Sequence, residues 1–226
     1  MSKRKPIAKS FEKWHHGELA AVFGLTKNAE LAALRDWMDA SHPIPREREK
    51  DIEALRKLLD EFKNDWNETD LRVNFIGPLL FFVDFRGETF VGFNDAPLSA
   101  VVGEYRIYGY VDWMAARKSP SNTPLEPYFF VHEYKKFRAT EADPLGQLLA
   151  EMLAAQTLNT NGRTVYGCYV VSNFWHFVVL EDYGYATSQG FDATDQEELA
   201  RIWSALTEAK MRIQQTIYEA EKKADK

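Results

Sequence analysis

The chain has 226 residues, of which 45% are hydrophobic and 14% aromatic, a composition that is typical of a globular protein and excludes an intrinsically disordered one. The formal net charge is −6, so the charge as a whole does not favour a nucleic-acid or membrane surface. The single cysteine, Cys168, excludes an intrachain disulfide and a cysteine-rich zinc site. We find neither a signal peptide nor an apolar span of about 20 residues. We therefore expect a cytoplasmic protein that does not bind membranes.

Helices are predicted for the first third of the chain. Between about residues 16 and 63, apolar residues recur at three- and four-residue spacing, as they do from Ile52 to Phe62. A further helix is predicted to begin near Asn67, a capping residue that acids follow in the first helical turn. Pro78 is expected to bend or end this helix, because proline lacks the N–H that a helix interior uses.

The pattern changes to strands between residues 80 and 135. Aromatic and β-branched residues dominate there, and clusters of Gly, Asn, Pro and Ser separate them. The predicted strands are LFFVDF (80–85), TFVGF (89–93), EYRIYGYVDWMAA (104–116) and PYFFVHEYKK (127–136). The segment KSPSNTPLEP (118–127) is predicted to be a loop.

A helix is predicted over 143–158, where Asp143 is suited to the N-cap and Pro144 to the first helical position. The remaining predicted elements are two strands joined by Ser172 and Asn173, a third short strand and a last amphipathic helix, at residues 165–171, 174–181, 185–191 and about 195–222. This order of elements predicts an α/β layered architecture. We interpret residues 1–65 as an N-terminal helical extension and 66–226 as the main domain, the two forming one compact unit.

Charged residues occur on two of the predicted strands. Side chains alternate along a strand, so Glu133 and Lys135 are expected on one face. In the same way, one face of the preceding strand is expected to carry Glu104, Arg106, Tyr108, Tyr110 and Asp112. If the two strands pair, Asp112, Glu133 and Lys135 converge at one end of the sheet.

Two carboxylates at such close range repel each other unless a cation lies between them. Oxygen ligands from Asp and Glu suit Mg²⁺, which usually takes one or two carboxylates and retains several waters. A neighbouring lysine can position or deprotonate a metal-bound water, or stabilise negative charge on a phosphate. The chemistry that this pattern indicates is metal-assisted phosphodiester hydrolysis.

An aspartate at one strand, a Glu-X-Lys on the next and a glutamine on the following helix resemble the motif of the PD-(D/E)XK nuclease superfamily. Here GYVDW supplies Asp112, HEYKK supplies Glu133 and Lys135, and the helix supplies Gln147. The segment from Trp66 to Leu80 is similar to the first helix of that superfamily, whose metal-site glutamate falls on Glu68 here. The resemblance covers roughly residues 66–190.

This resemblance implies a restriction-endonuclease-like core, in which a helix, three strands, a helix and a further strand surround a mixed sheet. It implies that Mg²⁺ or Mn²⁺ is bound by Asp112, Glu133 and the backbone carbonyl of Tyr134. Lys135 is implied near the attacking water, and Glu68 at a second ion or a bridging water. Gln147 is implied to orient the site or to contact the nucleic acid, which is DNA rather than RNA.

Simpler interpretations of the same residues stay open. Glu133 and Lys135 are also compatible with a solvated pair on an exposed strand face. Gln147 and Glu151 lie at the border of an apolar helix face, where polar residues are usually solvated. The alternative function is a catalytically inactive nuclease-fold module that binds a protein or a nucleic acid. In either case the helical segments are candidates for a homodimer interface.

Overall fold

A mixed β-sheet between two layers of helices forms the centre of the protein in the computed structural model. The structure describes residues 5–135, 143–159 and 164–224, except for the side chains of residues 127, 129–135 and 218–224. Over these residues the sheet has nine strands. They are β1 (Ile7–Ser10), β2 (Thr26–Lys27), β3 (Phe90–Val102), β4 (Tyr105–Lys118), β5 (Pro124–Lys135), β6 (Thr164–Val171), β7 (Phe174–Glu181), β8 (Gly184–Thr187) and β9 (Phe191–Asp192).

The helices of the described residues lie before, within and after this strand series. They are α1 (His16–Phe23), α2 (Ala32–Met38), α3 (Glu49–Phe62), α4 (Glu68–Leu71), α5 (Gly77–Val83), α6 (Pro144–Leu158) and α7 (Gln196–Ala224). A 3-10 turn (Phe11–Lys13) follows β1, and a π-helical turn (Arg72–Ile76) joins α4 to α5. None of the helices that the structure describes is both long enough and apolar enough to cross a membrane.

The strands are paired in a mixed order. Strands β3, β4 and β5 are antiparallel neighbours, β5 and β6 are parallel, and β6 and β7 are antiparallel. Helix α6 lies in the connection between the parallel strands β5 and β6. Parallel strands need such a crossover of a dozen or more residues. The predicted α/β architecture, with a mixed sheet flanked by helices, is therefore confirmed.

Each face of the sheet has its own hydrophobic core. Helix α6 packs on one face, where its Leu148 and Met152 join Val111 of β4 and Val178 of β7. The other face is covered by residues from α2, α3, α5, α7 and the π-helical turn, among them Trp37, Leu59, Phe75, Leu79 and Ile202. Residues from the first 65 positions thus pack in the same core as later ones, and the division at residue 65 stays a prediction.

The helix predicted near Asn67 begins at Glu68, as its cap indicates. The Asn67 Oδ1 accepts from the backbone N–H of Asp70 at 3.0 Å, and the Asp70 carboxylate accepts from the backbone N–H of Asn67, which is a capping box. Pro78 does not end this helix. The preceding π-helical turn, in which the N–H of Gly77 donates to the carbonyl of Arg72, shifts the hydrogen-bond pattern and admits the proline.

Three strand predictions were wrong in extent or type. The segment 80–85 is not a strand, because α5 continues to Val83, with Leu79, Leu80 and Val83 buried on the helix. Strand β3 extends well beyond the predicted 89–93, and β5 begins inside the predicted loop 118–127. Asn94, Asp95 and Pro97 suggested a break in β3, yet all three lie within it.

Candidate functional site

Asp112 lies on β4 with its side chain 20% exposed. Across the sheet, Asn94 pairs with Trp113 and Ala96 pairs with Val111, so Asp95 lies opposite Asp112 on β3. Like charges that face each other across strands are destabilising. The side chain of Arg72 offsets this repulsion: its Nη1 donates to Asp95 Oδ1 at 2.9 Å and lies 4.0 Å from Asp112 Oδ1.

The regular alternation of side chains between the two faces of the sheet is interrupted at Asp112 on β4 and at Asp95 on β3. On β4, Val111 and Met114 both pack against the α6 side, whereas Trp113 packs on the opposite side. On β3, Asp95 has a φ of 46°, which is uncommon for a residue other than glycine although aspartate tolerates it best. The single face predicted from Glu104 to Asp112 is therefore regular only as far as Val111.

Glu133 follows His132 on β5, and His132 pairs with Trp113. Trp113–His132 is the last pair of β4 and β5 at this end, so the antiparallel register, if continued by one residue, would set the backbone of Glu133 next to that of Asp112. The positions of residues 95, 112 and 133 would then lie at one level of three adjacent strands. Lys135 comes two residues later on β5 and pairs with Val171 of β6. The side chains of residues 133–135 are outside the described part, so their distances to Asp112 stay a prediction.

Helix α6 places two polar side chains near this row. Gln147 is 9% exposed and its Nε2 donates to Glu151 Oε1 at 3.1 Å, while Glu151 is fully buried. The simpler interpretation, in which both side chains are solvated, is therefore wrong, whereas the predicted role of Gln147 at the site stays a prediction. A buried carboxylate is costly unless it is paired and hydrogen-bonded. Glu151 thus makes Gln147 part of a buried polar network, which fixes the amide beside the cleft described below.

Glu68 lines a shallow depression with Lys63, Trp66 and Ser172, at the turn between β6 and β7. Arg72, one helical turn further along, brings its Nη1 to 4.0 Å from Asp112 Oδ1. The predicted role of Glu68 at a second ion stays a prediction. Arg72 and Asp95 were not found from the sequence, since Asp95 reaches Asp112 through the strand register and Arg72 through the packing of the helical layer on the sheet.

A surface cleft of about 710 Å³ opens beside Asp112. It lies where β4 changes its neighbour, because β1 pairs with Tyr105–Tyr108 and β5 pairs with residues from Trp113 onward. The cleft is lined by Lys13, Arg106, Tyr108, Tyr110, Asp112 and Gln147, together with Glu12 and several smaller residues. In α/β sheets, such a change of neighbour is a usual place for ligand binding. The cleft therefore joins two of the predicted site residues, Asp112 and Gln147.

The row of acids continues into an aromatic pair on β6 and β7. Glu133 pairs with Tyr169, and Tyr169 pairs with His176. The two rings are stacked with their centroids 4.6 Å apart. Burial raises the pKa of Tyr169 to about 12 and lowers the pKa of His176. Both rings are therefore neutral at pH 7 and bring no charge to this end of the site.

The N-terminus of α6, which carries Gln147, is fixed by Asp143. Its Oδ1 accepts from the N–H of Gly146 at 2.9 Å, and its Oδ2 accepts from the N–H of His16 at 2.8 Å. A Cβ at Gly146 would lie 2.6–2.8 Å from backbone atoms of residues 14–16, so only glycine permits this approach. Asp143 and Gly146 thus attach the helix to the segment that follows β1.

We expect stability to fall when the charge of Asp143 is removed. Burial raises the pKa of Asp143, but hydrogen bonds from the backbone N–H groups of His16 and Gly146 and from the His16 imidazole hold it below its ordinary value. A lowered pKa stabilises the fold at neutral pH, and the contribution is lost as pH falls through the folded-state pKa. Asp143→Asn is therefore expected to lower the free energy of unfolding by about 1–2 kcal/mol at pH 7.

Urea unfolding of wild type and Asp143→Asn at pH 7 and pH 3 measures this contribution. The difference between the two proteins is expected to be full above roughly pH 5 and smaller at pH 3. A difference that is equal at both pH values would mean that the carboxylate charge is not what stabilises this contact.

No model of a known protein family matches this sequence, and no curated protein matches it significantly. Among the side chains that the structure describes, no group of three or more His, Cys, Asp or Glu residues is arranged to hold a metal ion. Glu133 is not among those side chains. The fold and the cleft define an α/β protein with Asp112 and Gln147 at a change of strand neighbour.

Proposed function

We propose that this chain is a Mg²⁺-dependent nuclease that hydrolyses phosphodiester bonds of DNA, with a restriction-endonuclease-like core. The observation that carries the proposal is the pairing of Trp113 with His132, since continuing this register by one residue would bring Glu133 to Asp112, with Lys135 two residues further on. The order of elements also supports it. A helix over 68–83, three antiparallel strands, helix α6 and the parallel strand β6 follow one another, as the PD-(D/E)XK resemblance implies.

The donors at this position fit a hard divalent ion. Asp112 and Glu133 would hold Mg²⁺, or Mn²⁺, together with the backbone carbonyl of Tyr134, and all of these are oxygen ligands. The ion would supply positive charge for the phosphate and an activated water. It would also offset the repulsion among acids on neighbouring strands. The guanidinium of Arg72 offsets part of this repulsion at Asp95 and Asp112.

The residues around the ion have separate roles in hydrolysis. The water oxygen forms a bond to phosphorus, the bond from phosphorus to one sugar oxygen breaks, and that oxygen leaves with a proton. Lys135 orients the attacking water and stabilises the negative charge on the phosphate. Gln147, which Glu151 holds through a 3.1 Å hydrogen bond, orients the substrate in the cleft.

We expect cleavage to depend on Glu133 and Lys135. The purified protein would be incubated with single- and double-stranded DNA and RNA, with Mg²⁺ or Mn²⁺ and with EDTA. Glu133→Gln and Lys135→Ala are each expected to lower the cleavage rate by about 100-fold or more. The matched controls are Glu126→Gln on the same strand and Lys118→Ala at the end of β4, both at exposed positions. No cleavage of any substrate, or unchanged cleavage rates in both site variants, would refute the proposed nuclease activity.

One observation favours a second candidate, the catalytically inactive module. Arg72 Nη1 lies 4.0 Å from Asp112 and 2.9 Å from Asp95, so a protein cation already offsets part of the acidic charge. Such a module would use the fold to bind a protein or a nucleic acid without hydrolysis. Titration calorimetry that detects no Mg²⁺ or Mn²⁺ binding would favour the module over the nuclease.

A further inference from the structure

A line of exposed aromatic and basic side chains runs along β4 to the cleft of Asp112. Arg106, Tyr108 and Tyr110 alternate with the buried residues Ile107 and Val111. Tyr108 is 36% exposed and Tyr110 is 70% exposed, and the guanidinium of Arg106 lies 5.0 Å from the centre of the Tyr108 ring. We call these three residues the β4 stripe.

The strands beside the stripe carry small side chains. Ser99 and Pro97 of β3 pair with Tyr108 and Tyr110, and Ser10 of β1 pairs with Tyr108 from the other side. Ser99 and Pro97 are exposed. These small neighbours leave both tyrosine side chains accessible, Tyr110 more than Tyr108, so that a flat ligand can approach them.

We propose that the β4 stripe is a binding track for single-stranded nucleic acid that leads to Asp112. The proposal rests on the proposed function, since it names the form of substrate that the same cleft takes. Arg106, Tyr108, Tyr110 and Asp112 line that one cleft, together with Lys13. Exposed aromatic rings that stack bases, combined with cations that contact the phosphates, are the usual composition of a surface for single strands.

The spacing of the stripe favours a single strand over a duplex. Alternate residues of a strand are separated by about 6.6 Å, whereas stacked bases in a duplex are about 3.4 Å apart. The faces of duplex bases are also covered by their neighbours. A base can stack on Tyr108 and another on Tyr110 only if the nucleic acid is extended and unstacked, as single strands can be. The stripe is aromatic and cationic, which suits bases and phosphates better than an apolar protein surface.

Binding in the absence of divalent ions tests the track separately from catalysis. The anisotropy of a labelled oligothymidine of about 12 nucleotides would be measured in EDTA. Tyr108→Ala and Tyr110→Ala are each expected to raise the Kd about 10-fold, and Tyr110→Phe is expected to retain the wild-type Kd, because stacking needs the ring and not the hydroxyl. Tyr183→Ala, at a tyrosine that is 61% exposed in the turn between β7 and β8, is the matched control and is expected to bind as wild type does.

Two further measurements separate the phosphate contact from stacking. Arg106→Gln is expected to reduce the slope of log Kd against log salt concentration by about 0.7, the value for one phosphate contact to a single strand. A duplex of the same length is expected to bind more weakly than the single strand and to be insensitive to Tyr110→Ala.

The outcomes distinguish failure of the track from failure of the nuclease. Reduced binding by the tyrosine variants, in a protein that cuts nothing, supports the track and refutes the nuclease. Cleavage by wild type, with unchanged Kd and KM in both tyrosine variants, refutes the track alone. No binding of the oligothymidine by wild type also overturns the track. The track is also overturned if Tyr110→Ala converts a dimer to a monomer and leaves nucleic-acid binding intact, because the stripe is then a protein interface.

Discussion

Asp112→Asn is expected to reduce Mg²⁺-dependent cleavage by about 1,000-fold and to abolish the heat of Mg²⁺ binding. Asp112 lies opposite Asp95 of β3, directly precedes the residue that pairs with His132 of β5, and lines the cleft. Asparagine has the same shape but lacks the charge that a divalent ion requires. The variant is expected to fold, because the 2.9 Å contact between Arg72 and Asp95 does not depend on Asp112. Initial cleavage rates and titration calorimetry measure the two effects.

Asp95→Asn is the matched control for this prediction. It removes one charge from the same row, at a side chain that is 60% exposed and bonded to the same Arg72. Asparagine tolerates the positive φ of this position. We expect no more than about a 10-fold loss of cleavage, the lower end of the effect of groups that lie outside the metal ligands. If Asp112→Asn cleaves at the wild-type rate, or Asp95→Asn loses activity to the same degree, Asp112 is not the specific metal ligand.

The parts of the fold that depend on local signals were predicted from the sequence. Helix α6 begins at Pro144, where Asp143 caps it, and ends at Leu158 as predicted. Strands β6 and β7 also agree within a residue, joined at Ser172, whose φ is 59°. Caps, proline at the first turn and tight turns act over a few residues, so their physical effect can be seen in the sequence.

Features that depend on distant packing were not predictable in the same way. The run from Leu80 to Phe85 has the composition of a strand, but its apolar residues pack on α7 and on neighbouring helices, and burial overrides intrinsic preference. Strand β1 was not predicted, because it is a short segment that forms by pairing with β4 nearly 100 residues later.

The candidate site also combines features that the sequence predicted with features that depend on distant packing. The hypothesis that the strands of Asp112 and Glu133 pair agrees with the antiparallel register of β4 and β5, which ends at Trp113 and His132, and the convergence of Asp112 and Glu133 one residue further stays a prediction. Alternation and this pairing could not identify Arg72, which approaches from the helical layer, or Asp95, whose strand was thought to end before it. The border position of Glu151 on an apolar helix face suggested that it is solvated. The sheet and the segment after β1 instead bury this face of α6, and Glu151 is fully buried.

Trp37→Ala is expected to be the most destabilising substitution, lowering the free energy of unfolding by about 3–5 kcal/mol. Trp37 is fully buried on α2, and its ring meets the edges or faces of Tyr166 and Phe177 at 5.0 and 5.2 Å. Its Nε1 donates to the carbonyl of Ala205 on α7 at 2.8 Å. Alanine would leave a cavity between α2, the sheet and α7, and would remove the donor of a buried carbonyl. Urea unfolding followed by far-UV circular dichroism measures the loss.

The same experiment tests whether residues 1–65 are a separate extension. Trp37 joins α2 to strands and to a helix that come more than 100 residues later, so a single cooperative transition that shifts as a whole is expected. Phe81→Ala, at a phenylalanine that is 64% exposed, is the control and is expected to change stability by no more than about 0.5 kcal/mol. Two transitions, of which only one responds to Trp37→Ala, would show instead that the N-terminal helices unfold on their own. In that case the core of α6 and the sheet, which carries Asp112 and Gln147, would be stable without them.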